Sequence, residues 1–139
     1  MTRIAILAVG LIVVVGCGVG SAAQSAPPTP TDLRITVWPE GRGTGDSKTY
    51  RLRCSPAAGT LPKVAIACSK LGGLTRPFAP VPRDAICTEQ YGGPQEGLVT
   101  GKHRERSVWA VFSATNGCQI SRAKRVAFLL PGFGTSGNA

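Results

Sequence analysis

The sequence predicts a single small α+β domain whose mostly antiparallel sheet is covered on one face. Three observations lead there. Several short segments alternate apolar and polar residues between Gly- and Pro-rich turns, as half-buried strands do. One mature segment has convincing helical spacing, and it ends in Gly-Gly. Four cysteines follow a secretory leader, an even number of the kind that staples small exported domains. Runs of strand broken by one or two short helices fit α+β rather than a regular β-α alternation.

The first residues are an address. Arg3 precedes a charge-free run from Ile4 to Val15, and small residues follow through Ser21-Ala22-Ala23, so residues 1–23 read as a signal peptide that leaves Gln24 first. The apolar run is shorter than the ~18 residues a spanning helix needs. A second processing route is written in Val14-Val15-Gly16-Cys17, which resembles a lipobox and would make Cys17 a lipidated first residue. Cleavage after Ala23 removes one basic residue and no acid, taking the formal charge from +9 to +8. That charge suits anionic partners at long range and serves solubility equally well. Export removes the usual nucleic-acid partners and aromatic residues are few, so no nucleic-acid role is expected; any membrane contact is through the signal or a lipid anchor. Residues 24–32 are a Ser/Pro/Thr-rich linker, 33–131 the domain, and 132–139 a frayed tail.

Within the domain, Leu33–Trp38 alternates as a strand, 39–47 is a hairpin tip, and Tyr50–Cys54 resumes the alternation as its antiparallel partner. Residues 55–60 form a turn cluster. Pro62 suits a helical first turn, and Val64, Ala67, Cys68 and Leu71 share one helical face. Residues 74–82, with three prolines, are irregular. Strands return at Glu96–Thr100 and Ser107–Ser113, Asn116-Gly117 is read as a turn, and Arg125–Leu130 as a final strand. Roughly 100 ordered residues make a domain of the size that benefits from covalent staples. Cys54, Cys68, Cys87 and Cys118 allow three pairings, and the residues alone leave the choice open; each bridge would contribute roughly 3 to 4 kcal/mol.

The usual catalytic constellations are missing. His103 is the only histidine, set in the charged run Lys102–Arg106 and expected to be solvated, and no Gly-x-Ser-x-Gly elbow exists. No Cys-x-x-Cys pair or histidine cluster suggests a metal, and no cofactor is implied. Residues 43–49 lack both the glycine before the lysine and the strand-to-helix context of a phosphate loop. Glu89 and Glu96 are the one close acid pair near an interesting loop, with nothing to set them face to face. No enzyme is expected. Lys102–Arg106 and Arg122–Arg125 could meet as one basic patch or form a solvated rim.

One stretch asks for more than packing. Ala85-Ile86-Cys87-Thr88-Glu89-Gln90-Tyr91 ends in Gly92-Gly93-Pro94, so it is held by a cysteine on one side and turned on the other. A rigid, extended, exposed loop is what a substrate-like protease inhibitor presents: the protease binds the backbone by strand addition and reads one side chain in its specificity pocket. A plain disulfide-anchored loop is the simpler reading of the same residues.

Several segments, in order, resemble the bacterial subtilisin-inhibitor family over about residues 33–130. They are Tyr50-Arg51-Leu52-Arg53-Cys54-Ser55-Pro56, Gly59-Thr60-Leu61-Pro62, Ala67-Cys68-Ser69-Lys70-Leu71, residues 87–94, Val111–Cys118 and Val126-Ala127-Phe128. The cysteine steps of 14, 19 and 31 positions add to the likeness. The resemblance implies a five-stranded antiparallel sheet with two short helices, the pairs Cys54–Cys68 and Cys87–Cys118, a homodimer through the sheet, and inhibition of secreted serine proteases of the subtilisin type. It places the reactive bond at Glu89–Gln90, flanked by Cys87, Thr88 and Tyr91. Inhibitory members often carry Met or Lys where this chain has Glu89, Pro where it has Thr88, and His where it has Leu61. A glutamate there implies a Glu-accepting protease, or weak inhibition of an apolar-pocket one. The alternative reading is a non-inhibitory envelope protein, or a lipoprotein anchored at Cys17, on the same scaffold.

Overall fold

The structure is a computed structural model that describes residues 30–133. The expected signal peptide with Cys17, the linker as far as residue 29 and the tail from residue 134 lie outside the described residues. The chain is an α+β domain. Strand β1 (Thr31–Trp38) is the middle of a five-stranded sheet completed by β2 (Lys48–Cys54), β3 (Ala58–Gly59), β4 (Glu96–His103) and β5 (Arg106–Ser113), in the order β3-β2-β1-β4-β5. Every pairing is antiparallel. Two helices, α1 (Val64–Gly73) and α2 (Gly117–Arg125), and a 3₁₀ turn at Ala127–Leu129 complete it.

The alternation read from the sequence is the alternation of burial. Leu33, Ile35 and Val37 of β1 face the core, with Leu52 of β2, Val99 of β4, and Ala110 and Phe112 of β5. From above, α1 contributes Ala67 and Leu71, α2 contributes Ala123, and the turn region adds Val126, Leu129 and Leu130. Helix α1 packs on β2 and β3, and α2 on β5. Cys54–Cys68 joins the end of β2 to α1, and Cys87–Cys118 joins the loop before β4 to α2, the neighbour pairing that the resemblance implied.

Four local expectations are corrected. Thr31 and Asp32, read as linker from their polarity, belong to β1: Thr31 is buried and pairs with Cys54 on one side and His103 on the other. The turn cluster 55–60 contains the fifth strand, β3, held by Gly59 opposite Leu52. Residues 125–130 form no strand. Their buried residues Val126, Leu129 and Leu130 recur at helical spacing, and Leu129 N–H donates to Val126 O at 2.8 Å. Asn116-Gly117 is no hairpin turn but the start of α2, where the Asn116 side chain accepts from Gln119 N–H at 3.0 Å as an N-cap.

The end of α1 and the irregular segment after it are tied down by three arginines. Arg104 donates to Gly72 O at 2.6 Å, Arg125 to Thr75 O at 3.3 Å, and Arg122 to Ala79 O at 2.7 Å. Arg122 also donates to Val111 O, and its guanidinium lies 4.2 Å from the Phe112 ring centroid. Burial pushes its pKa down from the arginine range. Arg104, Arg122 and Arg125 of the two basic segments therefore end on separate backbone carbonyls.

Candidate functional site

The loop between α1 and β4 owes its shape to five residues elsewhere in the chain, Ala114–Cys118. Cys118 bonds Cys87. One residue on, Thr88 O accepts from Gly117 N–H at 3.0 Å. Gly117 is the first residue of α2, where a helix has amide donors that its own turns cannot satisfy, so loop and helix end satisfy each other. At the far end Gly92 N–H donates to Ala114 O at 2.7 Å. Gln95, 2% exposed, props that end from beneath, its Nε2 donating to Gly92 O at 3.0 Å.

Two glycines permit this closeness. A Cβ on Gly117 would land on Thr88 Oγ1, so any larger residue would make the Thr88 side chain turn away for the helix start to lie against the loop. Gly93 has φ +121, and the space a Cβ would fill holds Gln95 Oε1. That buried oxygen has no hydrogen-bond partner among the described residues.

Between the anchors stand Glu89, Gln90 and Tyr91, all exposed, whose backbone groups make no hydrogen bond among the described residues. The Glu89 carboxylate likewise has no ion pair there. Tyr91 is 65% exposed and Ile86, just before the bridge, is 100% exposed. The arrangement is a short span fixed at both ends, with free backbone edges and outward side chains. Such a span can add to another protein's strand edge while losing little conformational freedom.

Glu96, the other acid considered with Glu89, is on β4 in an ion pair with Arg42 at 3.3 Å, so no carboxylate pair forms. His103 departs from expectation. It is 8% exposed at the end of β4, its Nδ1 is 2.9 Å from Thr31 Oγ1, and Phe78 meets its ring edge-on. Burial, and secondarily the Arg104 charge, push its pKa down. The charged neighbours suggested solvation, but β4 alternation carries Gly97, Val99 and His103 alike to the buried face. Leu61, in the position where a histidine was noted in the resemblance, is buried in the core. Among the described residues no group of three or more His, Cys, Asp or Glu could hold a metal, and no helix is long and apolar enough to cross a membrane.

Sequence reasoning missed the supports Asn116, Gly117 and Gln95. Asn-Gly before a cysteine was the available signal for the first two, since Asn also caps helices. Nothing in the sequence marks Gln95 as buried.

No protein-family model matches the chain, and no curated protein matches it. Among solved structures, it is similar to Streptomyces caespitosus sermetstatin, in a crystal structure of that protein in complex with Bacillus licheniformis subtilisin. The identity is 26% over 70% of this chain and 96% of that one, with a TM-score of 0.43.

Proposed function

We propose that this protein is an exported inhibitor of serine endopeptidases that presents Glu89–Gln90 as a substrate-like reactive bond. The observation that carries this is the Thr88–Gly92 span, pinned at Thr88 O by Gly117, at Gly92 N–H by Ala114 and at Cys87 by Cys118, with exposed side chains between. The order of motifs resembling the subtilisin-inhibitor family supports it independently. A protease acylated at Glu89 would leave the new Gln90 amine joined through β4 to the fold, while Cys87 keeps the Glu89 side on α2. Both cut ends stay near each other, which favours resealing over release. Thr88 and Tyr91 flank the bond, and the exposed, unpaired Glu89 carboxylate suits a specificity pocket that supplies positive charge. An apolar pocket would have to bury that charge unpaired, a cost of several kcal/mol, or about a hundredfold or more in affinity.

Titration of the secreted protein against subtilisin, trypsin and a Glu-specific serine protease tests the reading, with mass spectrometry of the recovered inhibitor. Stoichiometric inhibition with slow, reversible cleavage after Glu89 is expected. Rapid degradation, or no inhibition of any of them, would refute it.

The uncovered sheet face supports self-association. Val111 lies opposite Leu98 and Trp109 opposite Thr100, and Trp109 is 76% exposed. Sedimentation velocity should then show a dimer that Trp109→Glu dissociates.

A second reading rests on Glu89 and on Cys17: a non-inhibitory envelope lipoprotein. Labelling with a palmitate analogue, lost in Cys17→Ala, would favour it.

A further inference from the structure

Between the segment 76–79 and the β4–β5 hairpin lies a pocket of about 240 Å³ that shares no residue with the Thr88–Tyr91 loop. Arg76, Phe78, His103, Arg106, Val108 and Trp109 line it, and no acidic side chain does. Its location follows from the fold. The β4–β5 hairpin turns through Arg104 and Glu105, both at positive φ, which brings Arg106 directly opposite His103. Arg104 holds the end of α1 through Gly72 O, and Arg122 holds the segment after it through Ala79 O.

Three features of this pocket are unexplained by packing. The guanidiniums of Arg76 and Arg106 make no ion pair and no hydrogen bond among the described residues, whereas Arg104, Arg122 and Arg125 all end on carbonyls. His103 is buried, and its Nε2 has no hydrogen-bond partner while Nδ1 is engaged by Thr31. Buried ring nitrogens are normally satisfied, so an orphan points to a missing partner. Phe78 and Val108 add apolar surface beside these cationic and donor groups.

We propose that this pocket binds a small organic anion: an oxyanion, carboxylate or phosphate, carried on a flat apolar body. Arg76 and Arg106 take the charge, since a guanidinium fork matches either oxyanion. Phe78 and Val108 flank the body. In the tautomer with the Thr31 hydroxyl donating to Nδ1, His103 carries its proton on Nε2, an unpartnered donor buried in the pocket wall. Burial favours the neutral ring, so it adds no third charge to the two guanidiniums.

His103 is the only histidine of the chain, so its ring resonances are unambiguous in ¹⁵N NMR of the secreted protein. The probes are benzoate, phenyl phosphate, inorganic phosphate and neutral benzyl alcohol. A saturable shift of the His103 signals with benzoate or phenyl phosphate, and none with benzyl alcohol, is expected; whichever anion binds tighter identifies the oxyanion. Arg76→Gln should weaken that binding about tenfold or more, the loss of one charge-assisted hydrogen bond. Arg34→Gln removes the same charge from the outer face of β1 and should leave affinity within about twofold. No saturable shift with either organic anion would overturn the proposal. So would equal losses in Arg34→Gln and Arg76→Gln, which would reveal diffuse attraction only, or inorganic phosphate binding as tightly as both organic anions.

Discussion

Removing the two disulfides one at a time should separate what stabilises the domain from what holds the proposed reactive loop. The bridges close segments of 14 and 31 residues. Loop-closure entropy assigns them about 3.0 and about 3.7 kcal/mol, a difference too small to distinguish the two in stability. In urea, with an m-value of about 1–3 kcal/mol per molar for a domain of this size, either loss lowers the unfolding midpoint by roughly 1–4 M. The functional consequences should differ far more. Cys54–Cys68 ties α1 to β2 and touches no residue of the Thr88–Gly92 span, so Cys54→Ala with Cys68→Ala should inhibit as tightly as the parent below its unfolding transition. Cys87→Ala with Cys118→Ala leaves Thr88 itself held to α2 by the single Gly117 N–H to Thr88 O bond, worth about 0.5–1.5 kcal/mol net. That protein should be cleaved after Glu89 into two chains that are no longer covalently joined, although β1 still pairs with β4, so denaturing mass measurement finds two masses without reduction, whereas the parent's cleaved form gives two masses only on reduction. Progress curves of protease inhibition, paired with intact mass before and after reduction, read both effects. If the two double variants, each verified as folded, lose inhibition equally, the loop does not depend on its own bridge and the reasoning is wrong.

Three further outcomes are expected. Glu89→Met should strengthen inhibition of an apolar-pocket subtilisin by about a hundredfold, measured as the inhibition constant, while unfolding free energy stays within about 0.5 kcal/mol because Glu89 is exposed and unpaired; unchanged inhibition would remove Glu89 from the specificity pocket. Gln95→Met deletes the bond to Gly92 O together with the unpartnered buried Oε1, so denaturant unfolding should show no loss of stability, yet turnover of the loop by protease should rise severalfold. The depressed pKa of His103 means that the unfolded chain takes up its proton first: stability is full above pH about 6.5 and falls as pH drops below it, and His103→Gln should flatten that slope between about pH 7 and 5 in thermal melts.

Much of this architecture was legible because its signals are local. Leu33, Ile35 and Val37 alternate with polar residues, and that period of two is the geometry of a strand with one face buried. Val64, Ala67, Cys68 and Leu71 recur at helical spacing up to Gly72-Gly73, and α1 ends there. The short run Val126–Leu130 was misread because so brief an apolar segment fits both periods; contact with the sheet decided for the tighter turn. Strand β3 was invisible because two residues carry no periodicity, and Gly59 is a strand residue only by lying opposite Leu52. His103 was misplaced because four charged neighbours outweighed its position in the β4 alternation.

By itself, then, the sequence determined which segments alternate, which segment coils, that four cysteines staple a small domain, and that Cys87 and Gly92-Gly93-Pro94 bracket an exposed span. Each of these is a property of neighbours along the chain. Only the tertiary structure decided what holds that span, because its anchors, Ala114 O, Gly117 N–H and Cys118, come from the residues around the start of a helix distant in sequence. It likewise brought Arg76, His103 and Arg106 around one pocket, a meeting that depends on a hairpin and a pinned loop approaching from separate parts of the chain. Periodicity reports how a segment meets the core, but a site made of long-range backbone contacts exists only once the chain has closed on itself.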